Sequence, residues 1–302
     1  MSKLSNTYEP CLWRYMHGFL NIDKPAGMTS HDVVARVRRL TGRGVKVGHA
    51  GTLDPAATGV LPIALGHATR LIEYLSDVRK GYYGRVRLGV VTSTDDAEGE
   101  VISTAAVPPL TPELIEAAVA PLRGAILQVP PMYSALHHQG QRLYDLARAG
   151  KTVEREARPV QIDALEWDLG GPDELLITVM CGKGTYIRAL AREIGASLGC
   201  GAHLAALQRI FVGPFLLNDA VPLADLQANP ARLPLEIIPP EVALAGWPTA
   251  QLDAENSRRV RNGLPVTLTI SGEHVCAYDD TGVLLAVLRR EGDAWRPDKV
   301  FL

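Results

Sequence analysis

Residues 47–62 constrain this chain more than any other stretch. The run Val47-Gly48-His49-Ala50-Gly51-Thr52-Leu53-Asp54-Pro55-Ala56-Ala57-Thr58-Gly59-Val60-Leu61-Pro62 holds three glycines and two prolines in sixteen positions. That density excludes a regular helix, because glycine is entropically costly there and proline lacks the N–H that a helix needs. The run holds one acid, Asp54, among small and apolar neighbours. Two readings of it stand. Asp-Pro often opens a turn in which the carboxylate caps its own backbone; alternatively, the carboxylate is a working group presented by a stiff loop.

The 302 residues suffice for two domains, or for one large domain with an appendage. A hydrophobic share of 47% with 21% charged residues is ordinary for a globular chain. No run of about 18 apolar residues occurs, so no transmembrane helix is predicted. Residues 1–18 lack the apolar centre of a signal peptide, which makes the cytoplasm the expected compartment. Cys11, Cys181, Cys200 and Cys276 are scattered without zinc-site spacing, and the eight histidines form no metal pattern. The net charge of −2 argues against a strongly basic nucleic-acid binder. Its distribution is uneven, however. Basic stretches at Arg36–Lys46, Arg142–Arg158 and Lys183–Arg192 suit an RNA groove, and they equally suit solvated faces.

The pattern Gly51-x-x-Asp54-Pro55, followed by Ala57-Thr58-Gly59-Val60-Leu61-Pro62, resembles the active-site loop of pseudouridine synthases, most closely that of the TruB family, the tRNA pseudouridine-55 synthases. Further matches follow in order: Lys24-Pro25-x-Gly27, Val129-Pro130-Pro131-Met132-Tyr133-Ser134-Ala135-Leu136, Gly140-x-Arg142-x-Tyr144-x-x-Ala147-Arg148-x-Gly150, Gly182-Lys183-Gly184-Thr185-Tyr186-Ile187-Arg188, and Gly201-Ala202-His203-Leu204-x-x-Leu207-x-Arg209. The resemblance is strong from Gly18 to Val212 and loose beyond.

It implies an α+β pseudouridine synthase fold in residues 1–238, a mixed, largely antiparallel sheet with flanking helices, with residues 1–17 a loose extension. A PUA-like small β-barrel that binds RNA is implied for residues 239–302. Asp54 becomes the catalytic nucleophile or base, and Arg188 its ion-pair partner. Tyr82 stacks on the target base and can reach a proton-transfer position; Tyr83 competes for that role, because Gly81 stands where a larger residue is often found. His49 fills the gap left by the flipped base, and Leu207 packs against that base. Arg142, Arg148 and Arg209 fall among the RNA contacts, as does Lys24, whose turn buttresses the active-site loop. The implied partner is the T-arm of tRNA, met by a monomer with no cofactor, metal, membrane or required protein partner.

Periodicity supplies the elements. Phe19, Leu20 and Ile22 read as a strand broken at Pro25 and Gly27. Thr29 or Ser30 caps a helix to about Leu40 with Val33, Val34 and Val37 inward. A helix is predicted over Ala68–Asp77, and an alternating strand over Lys80–Gly89. Asp95-Asp96-x-Glu98-Gly99 reads as a solvated turn. Thr111 and Pro112 open a helix with Leu114, Ile115, Ala118 and Val119 inward. Val129–Leu136 reads as a rigid strand, Gly140–Gly150 as a helix, and Leu175–Cys181 as a strand. Beyond a short helix ended by Gly263, strands are predicted over Val266–Ile270, Val275–Tyr278 and Val283–Val287.

Isomerising uridine breaks C1′–N1 and joins C5 to C1′, with no redox change or group donor. One ionised carboxylate can serve as nucleophile or base. Burial would raise its pKa, and a nearby guanidinium would lower it. Three competing readings remain: a guide-RNA-dependent synthase of the dyskerin type, a non-catalytic tRNA-binding or folding protein, and a hydrolase with a single Asp. The last lacks the second acid that glycosidases need.

Overall fold

The computed structural model describes residues 16–42, 44–133, 137–138, 141–142, 153 and 155–301. Strand β1 (Gly18–Lys24) ends at the Pro25–Gly27 turn, and Thr29 then caps α1 (Ser30–Thr41). The cap is reciprocal: the Thr29 hydroxyl accepts from the Asp32 N–H, and the Asp32 carboxylate accepts from the Thr29 N–H. The glycine- and proline-rich run is a loop, 50–57, between β2 (Val47–His49) and β3 (Thr58–Leu65). The helix expected over Ala68–Asp77 is instead a 3₁₀ turn, Gly66–Leu71, continued by α2 (Ile72–Ser76).

After β4 (Lys80–Leu88), β5 (Val90–Thr92) and β6 (Val101–Thr104), α3 (Pro112–Val119) starts at Thr111. Ile115, Ala118 and Val119 are buried there, but Leu114, expected inward, is exposed. Strand β7 (Gly124–Gln128) stops where the next strand was expected, and 129–133 has no regular structure, since Pro130 and Pro131 offer no N–H to a ladder. The helix expected over 140–150 lies outside the described residues, except Gln141–Arg142. Those two form β9 against β8 (His137–His138). There follow β10 (Arg158–Gly171), β11 (Glu174–Cys181), α4 (Ile187–Ser197), β12 (Ala202–Val212), β13 (Phe215–Leu216), β14 (Val221–Pro222) and α5 (Leu223–Ala228).

The main sheet runs β14-β1-β3-β12-β4-β11-β10-β7, with β2 added on β3 and β13 on β12. Its pairings are antiparallel except β1–β14 and β3–β12. It is thus mixed and largely antiparallel, with flanking helices. Strand β3 is buried on both faces: Leu61, Ile63 and Leu65 pack towards α1 and α5, while Val60 and Ala64 point into the opposite core. Helices α3 and α4 cover β4, β10 and β11 through Ile115, Leu190 and Ile194 against Val86, Leu165 and Ile177. The central strands β3, β12 and β4 are therefore the rigid part, and the Asp54 loop enters β3 directly. Gly59 makes that entry possible. Its φ is +96°, and a Cβ there would lie 2.3 Å from the Arg209 carbonyl oxygen on β12.

A second sheet has the order β15 (Thr249–Gln251), β16 (His274–Tyr278), β17 (Leu284–Glu291), β18 (Ala294–Val300), with α6 (Ala254–Arg261) packed beside it around Trp295. This unit is consistent with a PUA-like domain. The strand expected over Val266–Ile270 reduces to one bridge, Val266 to Trp295. Neither β15 nor β18 was read from sequence, as β15 is three residues long and β18 carries Pro297 among charges. The two sheets share a core in which Phe19, Val212 and Phe215 meet Leu244, Cys276, Leu284 and Val287. At its edge the Tyr74 ring stands edge-on to Trp247, its hydroxyl donates to Asp298, and Lys299 pairs with Glu73 at 2.9 Å. Among the described residues, no helix is long and apolar enough to cross a membrane.

Candidate active site

Loop 50–57 has no strand ladder, so its backbone groups need partners from elsewhere. Nearly every residue around Asp54 is pinned. The buried Ser30 hydroxyl both accepts from the Leu53 N–H at 2.9 Å and donates to the Leu53 carbonyl at 3.2 Å. The Pro55 carbonyl accepts from the Lys24 ammonium at 3.0 Å and from the Gly27 N–H at 2.9 Å. Arg209 donates to the Gly51 carbonyl at 3.1 Å, the Thr52 carbonyl at 3.4 Å and, across the loop mouth, the Val60 carbonyl at 2.7 Å. The loop is closed on itself by Ala57 N–H to the Asp54 carbonyl.

The Asp54 carboxylate meets Arg188 from the first turn of α4. Gln128 sets the start of that helix, accepting from the Tyr186 N–H at 2.8 Å and donating to the Tyr186 carbonyl at 3.1 Å. Arg188 Nη2 lies 3.0 Å from Asp54 Oδ2, and Nη1 lies 3.3 Å from Asp96 Oδ2. The same guanidinium donates to the carbonyls of Tyr133 and Thr94 at 2.8 and 3.1 Å. Its side chain is 6% exposed, whereas that of Asp54 keeps 41% of its surface, open to a cavity. Burial pushes the Asp54 carboxyl above its ordinary range; Arg188 and Lys24 pull it down, and the like charge of Asp96 pushes it up. The acidic turn read as solvated is therefore corrected. Asp96 belongs to the Arg188 network and Asp95 pairs with Arg192, leaving Glu98 exposed.

The cavity, about 380 Å³, is walled by Asp54, Lys80, Tyr82, Arg188, Leu207 and the 182–185 turn. Strand alternation decides between the two tyrosines: Tyr82 is 8% exposed and lines the cavity, while Tyr83 is on the other face, 37% exposed. Burial raises the Tyr82 phenol, opposed by Arg209. Gly81 has a local reason, since the Phe211 ring stands 2.1 Å from where its Cβ would be. Lys80 was missed, although two residues from Tyr82 on one strand it shares that face. Its ammonium donates to the carbonyls of Ser76 and Val78, and burial, with the charge of Arg209, lowers it to about 8.

The structure thus brings Asp54, Tyr82, Arg188, Leu207 and Arg209 into one cavity. His49 is outside its walls, half-buried on β2, edge-on to His31 at 5.1 Å; burial lowers it to about 4. One expected RNA contact is corrected: Lys24 is 0% exposed with its ammonium spent on the carbonyls of Pro25, Met28 and Pro55. Arg209, 1% exposed, lines the cavity wall and braces loop 50–57. Both cations point inward because unladdered carbonyls need donors. Arg148 and the Arg142 side chain lie outside the described residues. Replacing Lys24 with Met preserves volume but takes a donor from three carbonyls, of which Pro55 keeps the Gly27 N–H. We expect a stability loss of about 2–3 kcal/mol in chemical denaturation, and an unchanged midpoint would refute the bracing role.

A family model for the N-terminal domain of TruB family pseudouridylate synthases matches residues 38–187. The tRNA pseudouridylate synthase B C-terminal domain matches 188–244, and the C-terminal domain of tRNA pseudouridine synthase II matches 247–302. A tRNA pseudouridine synthase B from Dehalococcoides mccartyi is 46% identical over 292 residues, 95% of this chain and 97% of its own. The chain belongs to the TruB family. Another TruB relative, from Ruegeria pomeroyi and also named tRNA pseudouridine synthase B, is 48% identical over 83% of this chain and 84% of its own. Among solved structures, a Cbf5-Nop10-Gar1 complex matches with a TM-score of 0.73 at 27% identity, over 95% of this chain and 86% of that one. An H/ACA RNP bound to a substrate RNA containing 2′-deoxyuridine matches with a TM-score of 0.74 at 25% identity, over 97% and 87%. TruB membership and these neighbours give the main sheet its identity as a pseudouridine synthase fold.

Proposed function

We propose that the chain isomerises uridine 55 in the T loop of tRNA to pseudouridine, using Asp54 as its one reacting carboxylate. The observation that carries this reading is the Asp54–Arg188 ion pair in the wall of a cavity that Tyr82, Leu207 and Lys80 also line. The reaction breaks C1′–N1, turns the freed ring, joins C5 to C1′ and moves the C5 proton to N1. Arg188 holds Asp54 ionised against its burial, ready to act as nucleophile or base. Tyr82 and Leu207 offer an aromatic and an apolar surface to the flipped ring. His49, neutral at physiological pH, is a flat ring suited to stacking where the base has left. The paired T-stem is read by shape and phosphates, to which Arg142 and Arg148 contribute.

The enzyme acts in the cytoplasm as a monomer, without cofactor, guide RNA or protein partner. Support for guide independence is the 46% identity to a relative named for tRNA, against 25–27% to proteins solved in multi-component complexes. The test uses purified protein and an unmodified tRNA transcript, with a second transcript carrying cytidine at position 55. Pseudouridine at position 55 of the first transcript alone is expected. No product without added RNA or protein would favour the guide-dependent reading, and product at another position would overturn the assignment to uridine 55.

A further inference from the structure

Helix α4 carries a second arginine one turn beyond Arg188, and it makes a second pair of the same kind. Arg192 Nη1 lies 2.5 Å from Asp95 Oδ2, and Nη2 donates to the Val129 carbonyl at 2.8 Å. Asp95 is the neighbour of Asp96, which pairs with Arg188. Val129 and Tyr133, whose carbonyls take Arg192 and Arg188, both belong to the irregular segment 129–133. Between them the Pro130 carbonyl accepts from Arg155 at 2.9 Å. Three arginines thus hold a segment that has no ladder and whose two prolines have no N–H.

Asp95 shows that this arrangement is held against local preference. Among the described residues it is the one non-glycine with positive φ, 61°, a conformation that side chains disfavour. The backbone there is also tied to β12, where the Leu204 N–H donates to the Asp95 carbonyl at 3.0 Å. The Asp95 carboxylate is 14% exposed. Beside it the Arg155 Nε is buried without a partner, and the charges of Asp95 and Arg192 act on that guanidinium with opposite sign. Backbone strain of this sort persists where its surroundings over-determine it, and it clusters at working sites.

We infer that Asp95 and Arg192 are positioning residues for the reaction at Asp54. Asp95 orients Arg192, and Arg192 fixes Val129 and the segment that carries the Tyr133 carbonyl. That carbonyl shares Arg188 Nη2 with Asp54 Oδ2. The turn holding Asp95 also supplies Thr94 and Asp96 to Arg188 Nη1. One strained turn therefore sets both ends of the guanidinium, although neither Asp95 nor Arg192 lines the cavity. The inference rests on the reading of Asp54 as the reacting group.

The test compares Asp95→Asn, Asp95→Gly, Arg192→Gln, Arg192→Lys and the Asp95→Asn/Arg192→Gln double variant with wild type. Single-turnover rates on unmodified tRNA are measured across pH, with tRNA Kd and thermal melting alongside. Asp95→Gly removes the carboxylate but accepts the positive φ, which separates charge from strain. Asp95→Asn, Asp95→Gly and Arg192→Gln are each expected to lose about tenfold or more in rate, with Kd within about twofold, and the double variant to lose no more than the worse single. Arg192→Lys, which keeps the charge, regains part of the rate. The acidic limb moves to higher pH, because Asp54 is faced by Arg188, Lys24, Asp96 and Tyr82, and a displaced Arg188 leaves burial and Asp96 less opposed. Wild-type rates and limb in the variants would overturn the inference while leaving the isomerase reading intact. So would rate losses that only track the folded fraction with the limb unmoved. A wild type that makes no pseudouridine overturns both.

Discussion

Asp54→Asn is expected to lower the single-turnover rate of pseudouridine formation by about four orders of magnitude and to leave tRNA binding and the fold intact. The amide has the shape of the carboxylate but can neither attack carbon nor take a proton near neutral pH. Arg188 keeps Asp96 as a counter-charge, so no buried cation is orphaned. The stability effect has a definite sign. Folding raises the Asp54 carboxyl above its ordinary range, so the folded chain binds that proton more tightly than the unfolded chain. Ionising Asp54 therefore costs stability from the ordinary carboxylate range upward, fully so above the folded pKa. Asn removes that cost. The variant should melt at or above wild type at neutral pH, with the advantage fading in acid. Release of the C5 hydrogen from labelled uridine and parallel melting curves test both halves. Activity retained in the variant would remove Asp54 as the essential group.

Arg188→Gln is expected to cost two to three orders of magnitude, roughly the value of one pre-organised charge partner, and to destabilise the fold by about 3 kcal/mol. That figure is at the low end for orphaning a buried charge, because Asp54 still reaches water. Asp54 and Asp96 would then face each other with no cation between them. The acidic limb of the rate should move to higher pH, since Asp54 must be ionised to act and the largest force holding it so is gone. Adding Asp54→Asn to Arg188→Gln should restore part of the lost stability without restoring activity. A limb that stayed in place, or a double variant less stable than Arg188→Gln alone, would show that the pair does not set the ionisation of Asp54.

The loop, its acid and the arginine opposite were legible through the family resemblance, since residue types alone left Asp54 two readings. The inward cations were not. Charge along a chain reports that Lys24 and Arg209 are basic, and a basic residue in an RNA-related pattern reads as a phosphate contact. Their direction is decided by something no motif records, the unladdered carbonyls of loop 50–57 and of the 25–28 turn. The acidic turn failed for the same reason, since its partners on α4 lie about ninety residues away in sequence. Tyr82 against Tyr83 needed only the strand alternation, which puts Tyr82 on the cavity face. The 129–133 segment misled because two prolines make it extended without making it a strand.

The shared core beneath the two sheets also sets the distance between them. Phe19, Phe215, Leu244 and Leu284 join both units in one apolar cluster, and Lys299 reaches back to Glu73. The span from the second sheet to Asp54 is thus settled when the chain folds, not when substrate arrives. An RNA that touched both would have to present two points at that separation, as to a calliper with fixed jaws. Nucleotides with identical neighbours but a different distance from the second contact would then be passed over without any base being read.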